Sequence, residues 1–209
     1  TFGVADIDYE SVARSRLFHF GYPPLMRRTY LDGGRELTEM FRRAHALGVT
    51  TSLDMAIPDP NAEAGRVDWA AILERTLPYV GVFLPSIEEI LYMLRPTTYQ
   101  TLRQPSGGDL IDNVTPALLS DLAEQLLAMG AGIVGLKLGE RGFYLRTAHT
   151  KALALLGRAA PADLSDWAER ELWMPGFKAD LVGTTGAGDA AIAGFLAALL
   201  RGLPIVQAV

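Results

Sequence analysis

Gly183-Thr184-Thr185-Gly186-Ala187-Gly188-Asp189-Ala190-Ala191-Ile192-Ala193-Gly194-Phe195 is the stretch on which the reading of this chain turns. It follows a strand-like run and opens a segment rich in Ala and Leu, which has the composition of a helix. Small residues at 186 to 188 leave successive backbone N–H groups uncovered at the positive end of a helix dipole. That is an anion site, suited to phosphate or to the charge developing on a transferring phosphoryl group. Asp189 falls in the first helical turn beside it. A carboxylate there can take a proton from an alcohol while the amides hold phosphoryl oxygens. Taken alone, the same residues read equally as a tight glycine turn with a favourable acid at a helix start. No Gly-Lys-Ser/Thr follows, so this is not a Walker loop, and the third glycine of a dinucleotide fingerprint is absent.

Working outward, short apolar runs alternate with amphipathic stretches. Residues 15–21 form an apolar and aromatic run ending in Gly21, a buried strand. Residues 34–47 set Leu37, Met40, Phe41, Ala44 and Leu47 at helical spacing, and Gly48 stops them. A β-branched strand follows over 49–54, and Asp68 caps a helix over 69–79 that carries Ile72, Leu73, Thr76 and Leu77 on one side. A strand over 80–84 leads to a helix over 87–94. Thr115-Pro116 opens a helix to 129, a strand covers 133–138, and 139–142 turn into a strand over 143–146. The composition of 96–113 predicts a mobile surface loop. Within an irregular stretch, 163–167 read as loop, and Trp173-Met174-Pro175-Gly176 lead into a last strand over 177–182. Strands separated by helices of about 10 to 15 residues predict an α/β fold with a doubly wound, mostly parallel sheet flanked by helices. Ligands in such sheets sit at the carboxyl ends of the strands.

The 209 residues are 49% apolar and 21% charged, which suits one α/β core spanning residues 1–209. With 24 acidic against 19 basic side chains and a formal charge of −5, there is no basic footprint, and no nucleic-acid partner is expected. Arg27-Arg28 and Arg42-Arg43 read as solvated faces. The absence of cysteine excludes disulfides, a thiol nucleophile and thiolate metal sites, and a cytoplasmic location is expected. No run reaches the roughly 18 apolar residues of a bilayer span, so no membrane partner is expected. His19, His45 and His149 lack metal-ligand spacing; His19 reads as a core or sheet-end residue. There is no Gly-x-Ser-x-Gly elbow. With no initiator Met and a helix-opening Pro204 close to its last residue, the chain is expected to be a portion of a longer enzyme.

Thr184-Thr185-Gly186-Ala187-Gly188-Asp189, followed by Ala193-Gly194-Phe195, closely resembles the second signature of the ribokinase-like (PfkB) carbohydrate kinase family. The resemblance implies Asp189 as the catalytic base, the amides of Gly186, Ala187 and Gly188 as an anion hole, and Thr184 beside the nucleotide. It extends upstream. The run Val134-Gly135-Leu136-Lys137-Leu138-Gly139-Glu140-Arg141-Gly142 resembles the family's strand and turn along the nucleotide phosphates and ribose, which implies nucleotide contacts at Lys137, Gly139, Arg141 and Gly142. Read without it, the glycines make a plain hairpin turn. Pro85-Ser86-Ile87-Glu88-Glu89 stands where the family has Asn-x-x-Glu, a motif that organises Mg²⁺ and phosphates. Glu89 matches the Glu, an indirect Mg²⁺ ligand by this reading, and Ser86 replaces the Asn on the nucleotide side. Without the resemblance both glutamates are helix N-terminal acids. Leu53-Asp54 through Asn61, Arg66 and Trp69 resembles a stretched Asp-x-Asn-x-Arg…Trp segment, and Asp54 is placed beside the site without a role. Gly183 stands where many members carry Asp at a monovalent-cation site, so the resemblance leaves a potassium requirement open.

From about residue 15 onward the resemblance implies a ribokinase-like three-layer sandwich. The family's lid strands and sugar-gripping residues would precede Thr1, and the adenine-side helices would follow Val209. It implies ATP-dependent phosphorylation of a hydroxyl on a sugar or sugar-like small molecule, with Mg²⁺ and ATP as co-substrate, and a homodimer as in many relatives. Two other readings are a catalytically silent nucleotide-binding or regulatory member of the same fold, which Ser86 and Gly183 favour, and a phosphate-ligand-binding α/β domain outside the family.

Overall fold

Whether an apolar run becomes strand or helix here follows its period, and the strands collect the β-branched and aromatic runs. The computed structural model describes residues 2–103, 110–178 and 183–209. In chain order, α1 (Tyr9–Arg14) precedes β1 (Leu17–Phe20), then α2 (Arg27–Tyr30), α3 (Arg35–Ala46), β2 (Thr50–Leu53), α4 (Trp69–Thr76) and β3 (Val82–Phe83). Next come α5 (Ile87–Leu94), α6 (Pro96–Leu102), α7 (Pro116–Ala128), β4 (Ile133–Lys137), β5 (Phe143–Thr147), α8 (Thr150–Ala154), α9 (Leu164–Trp167), β6 (Glu171–Met174), α10 (Ala187–Leu200) and α11 (Ile205–Ala208).

Among the described residues the strands form one six-stranded sheet in the order β1-β2-β3-β4-β5-β6. The first four are parallel, and β5 and β6 each join antiparallel to the strand before. Phe20 pairs with Leu53, Leu53 with Phe83, and Phe83 with Val134, so the carboxyl ends of β1, β2 and β3 are level. Lys137, three residues further along β4, makes an isolated parallel bridge to Ser86. β6 runs parallel to β4, so its carboxyl end faces the same way and delivers the chain towards α10 from that side.

Successive strand residues point to opposite faces, and each face carries its own core. Phe83, Val134 and Tyr144 pack with Leu37 and Phe41 of α3, Trp69 and Leu73 of α4, Ile90 of α5 and Leu122 of α7. Val82, Leu84, Ile133 and Leu145 pack on the other side with Leu153, Trp167 and the α10 residues Ile192, Phe195 and Leu199. The predicted α/β sheet with helices on both faces is the structure observed. Each large apolar side chain removed from water in these layers contributes about 1.5–3 kcal/mol.

Four expectations are corrected. Residues 96–103 are not loop. Pro96 starts α6 at the position where a missing N–H costs nothing, and Tyr99, 6% exposed, anchors the helix edge-on to Tyr92 at 5.4 Å between ring centres. Leu110–Asn113 is a 3₁₀ turn over a buried Leu110, and 104–109 lie outside the described residues. Residues 163–167 are a helical turn, because Asp163 accepts from the Ser165 and Asp166 amides and Trp167 inserts into the second core. Among the described residues the last strand is Glu171–Met174. Leu172 and Trp173 pair with Leu145 and Tyr144, whereas Phe177 is 93% exposed. The remainder of the predicted strand, 179–182, lies outside the described residues. The helix predicted over 69–79 is α4 plus a 3₁₀ turn from Leu77, where Pro78 removes the donor an α-helix would need.

The β4–β5 connection is a 3₁₀ turn, Gly139–Arg141, closed by Gly142 at φ 93° and ψ −134°. A β-carbon on Gly142 would stand 2.0 Å from the Met174 carbonyl oxygen and 2.5 Å from the Gly176 nitrogen. Both the dihedral and the contact exclude a side chain. Gly142→Ala is expected to lower the unfolding free energy by at least about 2 kcal/mol, read as a lower urea midpoint at unchanged slope.

Candidate active site

The level strand ends bring together groups far apart in the chain. Asp54 directly follows β2 and Lys137 closes β4, and the Lys137 ammonium donates to Asp54 Oδ1 at 2.7 Å across the end of β3. The Asp54 side chain is 1% exposed and that of Lys137 13%, so this is a buried ion pair. Burial pushes the Asp54 carboxyl up, and the neighbouring ammonium opposes that shift. Lys137 is thereby positioned twice, because its backbone N–H also donates to the Pro85 carbonyl at 3.0 Å. His19, on β1, reaches Ser52 Oγ through Nδ1 at 3.0 Å. Desolvation at the strand ends, and then the Lys137 charge, disfavour its protonated form.

Ser86 and Glu89 open α5 with a reciprocal cap: the Glu89 carboxylate accepts from the Ser86 amide at 2.7 Å, and the Ser86 hydroxyl accepts from the Glu89 amide at 3.2 Å. The two residues therefore organise the helix start in addition to facing the strand ends. Burial, and then the negative charge of Asp54, raise the Glu89 carboxyl, while Lys137 and the Ser86 amide oppose the rise.

α10 begins at Gly186, which takes a left-handed φ of 80° with no side-chain cap. The Ala187 amide donates to the Thr184 carbonyl at 3.0 Å and closes the turn. Of the three amides expected to form an anion hole, Ala187's is thus engaged here, which leaves Gly186 and Gly188 together with Asp189 at the uncapped helix start. A β-carbon on Gly188 would stand 3.7 Å from Lys137 Nζ, so the lysine side chain lies against the first turn of α10. Asp189 is exposed, and the Tyr22 hydroxyl donates to its Oδ1.

The turn after β4 behaves differently from its motif. Arg141 Nη1 donates to the Val114 carbonyl at 2.8 Å and also to the Ile111 carbonyl, and its guanidinium lies 4.7 Å from the centre of the Trp173 ring. The Trp173 indole N–H returns a hydrogen bond to the Arg141 carbonyl at 2.8 Å. Arg141 is committed to fastening this turn. A β-carbon on Gly139 would meet Ile111 at 3.1 Å, so the close approaches at Gly139 and Gly142 are to the chain's own atoms.

Asp54, Ser86, Glu89, Lys137, Gly188 and Asp189 converge at one end of the sheet, and Thr184 and Gly186 flank them in the turn. Arg141 and Gly142 lie in the turn after β4, engaged by the chain's own atoms. The sequence reading missed Tyr22 as a site residue and the pairing of Lys137 with Asp54. Tyr22 carries one signal: it lies just after a strand that ends in glycine, where α/β sheets keep their sites. The pairing had none, because 83 positions separate its partners.

Among the described residues no helix is long and apolar enough to cross a membrane. Solved structures share the fold. A PfkB protein from Polaromonas sp. JS666 is 22% identical over 99% of this chain and 54% of its own, with a TM-score of 0.60. A fructokinase with bound ATP from Xylella fastidiosa is 18% identical over 96% of this chain and 49% of its own, with a TM-score of 0.62. A ribokinase from Arabidopsis thaliana, complexed with ribose and ATP, is 18% identical over 97% of this chain and 49% of its own, with a TM-score of 0.60. The chain spans about half the length of these structures. No curated protein matches it. The pattern that defines the pfkB family carbohydrate kinases matches residues 32–209, and the chain belongs to that family.

Proposed function

We propose that this chain carries the phosphoryl-transfer machinery of an ATP-dependent kinase acting on a hydroxyl of a sugar or sugar-like small molecule. The observation that carries the reading is the placement of Asp189: an exposed carboxylate in the first turn of an uncapped helix, against which the Lys137 side chain lies at Gly188, at the carboxyl end of the sheet. Asp189 takes the proton of the acceptor hydroxyl as its oxygen attacks the γ-phosphorus in line. The bond to the β-phosphate oxygen breaks and ADP leaves. Amides at Gly186 and Gly188, with the helix dipole and Lys137, supply positive potential where the equatorial phosphoryl oxygens gather charge. Asp54 serves that arrangement by fixing the lysine.

The residues fit a magnesium ion. Mg²⁺ prefers one or two carboxylates, retained water and substrate phosphates, and Glu89 offers a half-buried carboxylate whose charge is disfavoured until a cation arrives. When bound, the ion would neutralise phosphate charge. Ser86 and Thr184 lie on the nucleotide side in this reading, and relatives solved with ATP support the choice of phosphoryl donor. The protein acts as a cytoplasmic enzyme, and as a homodimer, in this proposal.

The test is ADP release by the protein at its full natural length, with Mg-ATP and a panel of sugars and nucleosides. Asp189→Asn is expected to lower acceptor-dependent turnover by about 10²- to 10⁴-fold. Turnover that survives the substitution would remove Asp189 from its role, and ATP binding without turnover on any acceptor would favour the silent-member reading. Lys137→Met strands a buried carboxylate and is expected to cost about 3 kcal/mol in urea unfolding, with part of the loss restored by adding Asp54→Leu.

A further inference from the structure

Gly21-Tyr22-Pro23-Pro24 follows β1 directly, and the function above makes no use of it. Tyr22 has φ 60° and ψ 43°, a left-handed conformation, and it precedes a proline. That backbone is sterically costly for an aromatic L-residue, and a following proline disfavours helical-region dihedrals as well. Such a conformation persists only where its surroundings impose it. Here they do. Pro23 and Pro24 are buried, and the fully buried Thr29 sets its Oγ1 at 2.6 Å from the Pro23 carbonyl and 2.7 Å from that of Met26. The Leu25 amide donates to the Tyr22 carbonyl at 3.0 Å and closes the turn.

The strained turn aims one ring at α10, where the phenol donates to Oδ1 of Asp189, 167 positions along the chain. The bond to Asp189, then burial, then the charges of Asp189, Asp54 and Glu89 push the Tyr22 hydroxyl up to about 12, so it remains a donor at any working pH. A carboxylate at an open helix start is otherwise free to turn about its own side-chain torsions.

We propose that Tyr22 is a positioning residue for the base: its hydroxyl holds one oxygen of Asp189 so that the other is presented to the acceptor hydroxyl. The inference rests on the phosphotransferase reading of this site. A rigid, buried-proline turn suits a fixed strut better than a gate that must swing aside.

The test compares wild type, Tyr22→Phe, Tyr22→Gly, Asp189→Asn and the Tyr22→Phe/Asp189→Asn double variant in the full-length protein, by steady-state ADP release. Tyr22→Phe is expected to lower kcat about 10- to 100-fold, the scale of a hydrogen bond to a charged group, with KM for ATP unchanged. In the Asp189→Asn background the same change should add no further loss, because its effect passes through the carboxylate. Tyr22→Gly removes the ring and relieves the backbone. It should lose as much kcat while melting no lower than wild type, which a purely structural role would not produce. Wild-type kcat in Tyr22→Phe, a rise confined to the acceptor's KM, or a gain in kcat/KM from opening a gate would each overturn the inference and leave the kinase reading standing. A wild-type protein without acceptor-dependent ADP release, or an Asp189→Asn variant with full activity, would overturn the kinase reading and this inference with it.

Discussion

Lys137 and Asp54 meet 2.7 Å apart where β4 and β2 end, with β3 between them, and the site is arranged around that contact. Neither charge is stable alone at this depth, because desolvation of an unpaired ion costs several kcal/mol. The pair forms only if three parallel strands end level and the chain leaves β3 through Leu84-Pro85 without blocking the gap. Lys137 then has its backbone held by Pro85 and its ammonium by Asp54, and it lies along the first turn of α10. One ion pair thus joins the register of the sheet to the place where a helix presents its positive end.

Two aspartates at this end of the sheet differ by environment, and in the proposed mechanism that difference separates their work. Asp54 is buried against a cation, with its carboxyl pushed up by desolvation. Asp189 is exposed and reached by a phenol. A buried, paired carboxylate can tune a neighbour but cannot meet an incoming alcohol, whereas an exposed one can. Glu89, half-buried and held by the start of α5, is a third acid in a third setting.

The turn after β4 shows how a motif and its contacts can part. Arg141 and the two glycines beside it match a family pattern, yet in this structure the guanidinium stacks on Trp173 and binds loop carbonyls, and Gly142 makes room for the backbone after β6. These residues fasten the edge of the sheet from which the chain continues towards α10.

Most of the fold was legible in the sequence, because period and punctuation are local. The β-branched 50–53, the stripe of Leu37, Met40, Phe41 and Ala44, and the Asp68, Ser86 and Thr115 caps each state their element within a few residues. Where local signals were thin the reading slipped. Tyr99 makes a helix of a polar stretch by packing on Tyr92, and Leu172 and Trp173 become strand because β5 offers them partners. The site divides in the same way. Gly186-Ala187-Gly188-Asp189 announced a helix start with an acid in it, which is chemistry confined to one turn. That Lys137 belongs to Asp54 and that Tyr22 reaches Asp189 were decided only by tertiary structure, since hydrogen bonds and buried charges are satisfied by whatever the fold brings within about 3 Å and carry no trace in the spacing of residues along the chain.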